Sequence, residues 1–168
     1  GLTSARHDVL SHEYALKYPE TFDDTIDPAL VYSGTKKITD LYDSLNRNIG
    51  QLILSPTRTY VPVIREILAK LRPHIQGIIH CSGGGQTKVM KFVKDLHIIK
   101  DQLFKTPPLF EIIQKESSST WKEMYQTFNM GHRLEIYTDL VSAKEMIKIA
   151  ESFGVEAKLI GRCDPYSG

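Results

Sequence analysis

Apolar residues recur along this chain at two spacings, and each spacing predicts an element. Leu10 and Tyr14, with Val9 beside them, predict a short helix over residues 3–16. Val61, Ile64, Leu68 and Leu71 keep helical spacing, so a helix opens at Ser55-Pro56-Thr57 and Pro73 stops it. Pro62 fits near the first turn, where a missing N–H has no partner to lose. Ile75 to Cys81 is a compact apolar run and predicts a buried strand, followed by a helix through Val89, Met90 and Val93. Leu52-Ile53-Leu54 reads as a short edge strand and His97 to Phe104 as strand-like.

Thr106-Pro107-Pro108 starts a helix carrying Leu109, Ile112 and Ile113. Thr120 and Glu123 have capping-box spacing ahead of a helix with Trp121, Met124, Tyr125 and Phe128 on one face. In Arg133 to Thr138, Leu134 and Ile136 alternate with Arg133 and Glu135, the pattern of a strand with one polar face. Ser142 with Glu145 suggests another capping box, and Val141 with Met146 a hydrophobic staple. Ala143, Ile147 and Ala150 would carry that helix's core face until Gly154 ends it, and Val155, Ala157 and Leu159 alternate as a last strand. Tyr18 to Ile38, rich in Pro, Asp, Thr and Gly, reads as loop or peripheral structure. Interleaved but unevenly spaced strands and helices predict an α+β fold, a mixed sheet with helices packed on it.

A length of 168 residues fits a single domain with a sizeable core. The 21 basic and 20 acidic residues nearly cancel, so charge makes no case for nucleic acid or an anionic membrane as partner. No apolar run approaches a membrane span, and a cytoplasmic setting is the expectation. Cys81 and Cys163 lie far apart and lack metal-ligand spacing, so no metal site is expected. Paired catalytic carboxylates and a nucleophile elbow are not found. The chain opens at Gly1 without Met, which suggests a piece of a longer protein.

The candidate chemistry concentrates in His80-Cys81-Ser82-Gly83-Gly84-Gly85-Gln86-Thr87-Lys88. Three glycines cost backbone entropy and suit a chain that must reach positive φ or approach another group closely. Free N–H groups at such a turn suit an anion, phosphate first. The spacing is neither that of a Walker A loop nor of a dinucleotide fingerprint. Two readings stand on physics alone: a phosphate cradle assisted by Lys88, or a tight corner with nothing bound. His80, just before the turn, is placed to exchange a proton near neutral pH, or else is a half-buried histidine bonded to backbone. Thr3, Ser4, Arg6 and His7 cluster at an expected helix start, where capping explains them as well as anion binding does. Asn129 and Gly131 sit at an expected helix exit.

Five segments, in order, resemble one family, the aminoimidazole ribonucleotide synthetases, also called phosphoribosylformylglycinamidine cyclo-ligases. They are Gly1 to Arg6, Leu54 to Val61, Ile79 to Gly85, Met124 to Gly131, and Phe153 to Ala157 continuing through Ile160-Gly161. The resemblance implies the three-layer α/β/α C-terminal domain of a two-domain enzyme whose N-terminal domain binds ATP and makes most of the dimer contacts. It implies an ATP- and magnesium-dependent ligase of de novo purine biosynthesis that closes the imidazole ring of formylglycinamidine ribonucleotide, inactive as this piece alone. ATP and magnesium would be held mainly by the other domain.

On this chain the resemblance gives His80 a catalytic role and Gly83, Gly84 and Gly85 the holding of phosphate or substrate. It puts Thr3, Ser4 and Arg6 in the same cleft and lets Asn129 and Gly131 shape it. The sequence departs from the family at Gln86, where an aromatic residue is common, at Arg133, which replaces a second glycine, and in a longer Tyr18 to Asn48 stretch. Two other functions therefore stay open: a superfamily relative acting on another amide or acid, and a non-catalytic binding or assembly domain.

Overall fold

A computed structural model of the protein describes residues 2–42, 46–55 and 57–166. In chain order the elements begin with α1 (Leu2–Ser4), a π turn (Ala5–Val9), α2 (Glu13–Lys17), β1 (Leu41–Tyr42), β2 (Arg47–Asn48) and α3 (Ile49–Ile53). Then come α4 (Val61–Leu71), β3 (Ile75–His80), a 3-10 helix (Gly85–Lys91), β4 (Leu96–Ile99), α5 (Pro108–Ser117) and α6 (Trp121–Thr127). The chain finishes with β5 (Leu134–Thr138), α7 (Leu140–Ser152) and β6 (Arg162–Pro165). The content is α+β. Among the described residues the strands form three two-stranded antiparallel sheets, β1–β2, β3–β5 and β4–β6. The chain divides into two compact units, residues 1–56 with 106–124, and residues 57–105 with 125–168.

In the first unit the helix expected over residues 3–16 is broken. Leu10 and Ser11 form parallel bridges with Lys36 and Gly34, and the backbone of Leu10 is extended. Those bridges spend on another segment the hydrogen bonds that would have continued the helix. The π turn buries Ala5 and Val9, both fully enclosed, and α5 packs on it with Ile112 and Ile113 buried. Glu116 of α5 closes this packing by accepting from the Thr35 N–H (2.9 Å) and Thr35 hydroxyl (2.7 Å). Leu52-Ile53-Leu54 is not an edge strand: Ile49–Ile53 is helical, opened by a capping box between Asn48 and Gln51. Among its described residues the 18–48 stretch holds two 3-10 turns and the β1–β2 pair, and it buries Val31 and Tyr32.

In the second unit α4 and α7 pack together beside β3–β5. Val63 and Ile67 meet Met146, Ile149 and Ala150, with Leu71, Ile75, Ile136, Val155 and Ala157 partly buried around them. The α4 core stripe is therefore rotated from the expected one, leaving Val61 71% exposed. The helix also starts later than expected, with Pro62 in its first turn. Its start is tied down by Arg58, whose guanidinium donates to the Gly154 carbonyl at 2.8 Å.

Helix α7 begins one turn before the expected Ser142 cap. Asp139 is the N-cap, accepting from the Ser142 N–H (2.9 Å) and hydroxyl (2.7 Å). An aspartate there also suits the helix dipole. The expected last strand at Val155 to Leu159 is irregular, and pairing resumes at β6 against β4. Two expectations hold closely: strands form at Ile75–His80 and Leu134–Thr138, and Thr120 and Glu123 form their capping box. The two strands pair antiparallel from Ile75↔Thr138 to His80↔Leu134, and β3 is partly covered rather than buried as expected.

Candidate functional site: the glycine turn of the second unit

Strand β3 ends at His80, whose backbone faces Leu134 of β5, and the chain then enters the glycine turn. The three glycines are there for three different reasons. Gly85 has φ +50° and is buried, and a Cβ on it would lie 2.4 Å from the Phe128 carbonyl oxygen and 2.7 Å from that of Tyr125. Gly84 adopts φ +95° with room around it. At Gly83 a Cβ would meet nothing within 4 Å, so neither the fold nor the backbone conformation asks for glycine there.

The hydrogen bonds of the turn leave donors over. Gly85 N–H donates to the Ser82 carbonyl (3.0 Å) and Thr87 N–H to that of Gly84 (3.0 Å). The N–H groups of Gly83, Gly84 and Gln86 have no acceptor among the described residues. Lys88 bends back over the turn and donates to the His80 carbonyl (3.0 Å) and the Ser82 hydroxyl (2.7 Å). Its ammonium places a positive charge at the start of the turn, and positive charge with unpaired amides attracts an anion. The His80 side chain is exposed at the rim, not half-buried, and its ring makes no hydrogen bond among the described residues.

The second turn of this unit, Asn129 to Gly131, is held by its own side chain: Asn129 Oδ1 accepts from the Gly131 N–H at 2.9 Å. Met130 at φ +51° and Gly131 at φ +95° reverse the chain into β5. The Gln86 amide joins the two turns, its Nε2 donating to the Asn129 carbonyl at 2.7 Å. His80, Gly83, Gly84, Gly85, Asn129 and Gly131 thus belong to one compact unit. Thr3, Ser4 and Arg6 belong to the other. There Thr3 is exposed, the Ser4 hydroxyl donates to the Asp8 carboxylate, and Arg6 Nη2 lies 3.2 Å from His7 Nε2. Gly1 and Pro56, which the resembling segments include, lie outside the described residues.

Sequence reasoning missed the polar cluster beneath the glycine turn. Lys100 Nζ contacts the Gln86 carbonyl (2.7 Å), Gln86 Oε1 (3.1 Å) and Glu135 Oε1 (2.6 Å), and the Tyr137 hydroxyl donates to Glu135 Oε2 (2.8 Å). Glu135, expected on a polar outer face of β5, is instead 6% exposed. Alternation places it opposite Leu134 and Ile136 correctly, and Ile136 packs on the helix core, but the polar face of β5 is covered as well. Burial, followed by the neighbouring Glu135, pushes the Cys81 thiol up to about 12, which makes it an unreactive core group. The same two causes push the Tyr137 phenol upward. A shallow depression lined by His74, Asp139 and Glu145 lies at the opposite end of β3 and takes no part in this arrangement.

His132, also missed, is 4% exposed and accepts the Phe104 N–H at Nε2 (3.1 Å). Burial lowers its pKa, opposed by Glu135 and assisted by Lys100 and Lys158. The folded chain therefore favours neutral imidazole, while the unfolded chain takes up its proton near pH 6.5. This contribution to stability is present above about pH 6.5 and is lost as pH falls below it toward the folded value. An NMR titration of the ring should give a pKa below 6.5, and a value at or above it would contradict this assignment.

Among the described residues no three His, Cys, Asp or Glu side chains gather as metal ligands, and no helix is long and apolar enough to cross a membrane. No protein-family model matches the chain. Curated relatives do. The phosphoribosylformylglycinamidine cyclo-ligase of Methanopyrus kandleri is 31% identical over 131 residues, 77% of this chain and 37% of the relative. That of Caldicellulosiruptor saccharolyticus is 31% identical over 136 residues, 79% of this chain and 39% of the relative. That of Methanocaldococcus jannaschii is 30% identical over 125 residues, 73% of this chain and 36% of the relative. The chain spans a little over a third of the length of the curated relatives it matches. With this similarity running across three quarters of its residues, the chain belongs to the phosphoribosylformylglycinamidine cyclo-ligase family.

Proposed function

We propose that the chain is the C-terminal domain, three-layered α/β/α, of an ATP-dependent cyclo-ligase that converts formylglycinamidine ribonucleotide to aminoimidazole ribonucleotide. The observation that carries this reading is the glycine turn with three amides free of acceptors among the described residues, in a chain whose relatives bear that enzyme's name. On this reading Gly83, Gly84 and Gly85 hold a phosphate group of the substrate or the phosphate that leaves during ring closure. The amides of Gly83, Gly84 and Gln86 offset negative charge gathering on oxygen, at fixed positions that need no reorganisation as the charge develops. His80, with its ring free at the rim, exchanges protons with the substrate nitrogen that attacks the activated carbon. Asn129 and Gly131 shape the neighbouring wall, and Thr3, Ser4 and Arg6 bind substrate or phosphate.

The remaining two thirds of the enzyme would supply the ATP and magnesium sites and the homodimer contacts, so the piece alone would not turn over. The parent protein would act in the cytoplasm. The test is formation of aminoimidazole ribonucleotide by the parent protein with ATP and magnesium. No product, beside an active control enzyme, would overturn the substrate assignment.

Gly83→Ala tests the turn itself. A methyl there meets nothing in the fold, so the unfolding free energy should stay within about 0.5 kcal/mol of the parent. Standing beside the free amides, the methyl should lower kcat/KM at least tenfold, which corresponds to about 1.4 kcal/mol of lost transition-state stabilisation. Unchanged kinetics would remove the turn from the site.

A further inference from the structure

The cluster beneath the glycine turn is built as a chain. Tyr137 donates to Glu135, Glu135 pairs with Lys100, Lys100 holds Gln86, and Gln86 donates to the Asn129 carbonyl. The side chains of Lys100 and Glu135 are 13% and 4% exposed. All three ammonium protons of Lys100 find acceptors, two of them on Gln86: its main-chain carbonyl and its side-chain Oε1. Gln86 is thereby clamped at both oxygens by Lys100 and at its amide nitrogen by Asn129. Its own N–H is one of the three left free at the turn.

Stability does not explain this arrangement well. Removing two charges from water costs more than many pairs recover, and apolar replacements of similar volume are often as stable or more so. What the pair does provide is geometry. It runs from β5 and the end of β4 to both turns of the candidate site, and it fixes the direction of one free amide relative to the Asn129 carbonyl.

We infer that Gln86, Lys100 and Glu135 are positioning residues, a buried brace that holds the amides of the glycine turn in register with the Asn129 turn for binding a phosphate group. The inference rests on the proposed phosphate-holding role of that turn. It acts through the backbone N–H of Gln86, so none of the three side chains needs to touch the ligand.

The experiment uses the 168-residue chain and inorganic phosphate, followed by the NMR shifts of the Gly83, Gly84 and Gln86 amides. Two variants are compared with the parent, each with its urea unfolding curve. Lys100→Met with Glu135→Leu and Tyr137→Phe replaces the whole charged segment by apolar groups. Gln86→Leu keeps the ion pair and removes the link to Asn129. The expected result is a phosphate Kd at least tenfold weaker in both variants, although both unfold at or near the parent's urea midpoint. A stably folded variant of either kind that binds phosphate like the parent overturns the inference. If the triple variant does not fold, Gln86→Leu decides alone. Should phosphate move none of the three amides in the parent chain, the phosphate-holding role falls, and the brace loses its purpose with it. Parent binding that Gly83→Ala weakens but both brace variants leave intact would preserve the turn's role and reject the brace.

Discussion

Gly85→Ala should be the most damaging single methyl that can be added to the three-glycine turn. Two penalties coincide there. A non-glycine residue at φ +50° costs about 1–2 kcal/mol relative to its preferred conformations. The added Cβ would also stand 2.4 Å from the Phe128 oxygen and 2.7 Å from that of Tyr125. These are main-chain atoms near the end of α6, which cannot swing aside as a side chain can, and overpacking of this kind costs about 1–3 kcal/mol more. The total is about 2–5 kcal/mol, read as a shift in the urea midpoint at unchanged slope. Gly84→Ala should lose only the backbone part, about 1–2 kcal/mol, since its Cβ would find Lys88 Cβ at 3.5 Å. Three adjacent glycines should therefore give three separate answers, rising from Gly83 to Gly85. Equal losses at all three would refute the division of roles.

The second large effect is expected from Lys100→Met alone. It removes the positive partner of Glu135 and leaves a nearly enclosed carboxylate faced by the neutral Tyr137 hydroxyl and Cys81 thiol. Breaking one side of a buried pair costs about 3–5 kcal/mol, most of it the desolvation of the abandoned charge. The variant also leaves the Gln86 carbonyl and Oε1 without their shared donor. The accompanying change Glu135→Leu, with Tyr137→Phe, should return most of that loss, because no charge then remains buried. Urea unfolding of the single and combined variants measures this directly. If the combined variant is no more stable than Lys100→Met, the loss comes from packing rather than from an unpaired charge.

Much of the strand and turn structure was legible in the chain. The run Ile75 to Cys81 is bounded by Pro73 and the glycine turn, and Leu134 to Thr138 alternates, so β3 and β5 emerge at nearly the expected limits. Proline at the start of α5 and the Thr120–Glu123 box are local chemistry, complete within one turn of chain. Two capping signals were present but passed over: Asn48 with Gln51, which would have shown α3 to be a helix, and Asp139 three residues before Ser142.

The errors share a cause. Helix α4 carries apolar residues on two adjacent stripes, and only contact with Met146, Ile149 and Ala150 selects Val63 and Ile67 over Val61 and Leu68. The segment after α1 has helical periodicity, yet bridges to Gly34 and Lys36, more than twenty residues away, take its hydrogen bonds. In β5 the polar residue Glu135 faces inward because Lys100, thirty-five positions earlier, waits there for it.

By itself, then, the sequence determined what short-range chemistry can decide: the strand into the glycine turn, a capping box that opens a helix, and the family. Tertiary structure decided which amides stay free, why each glycine differs from the next, and that Gln86 is held by a buried ion pair. The physical reason is distance along the chain. Conformational preference and capping act over a few residues, whereas burial and charge pairing depend on groups that only folding brings within 3 Å.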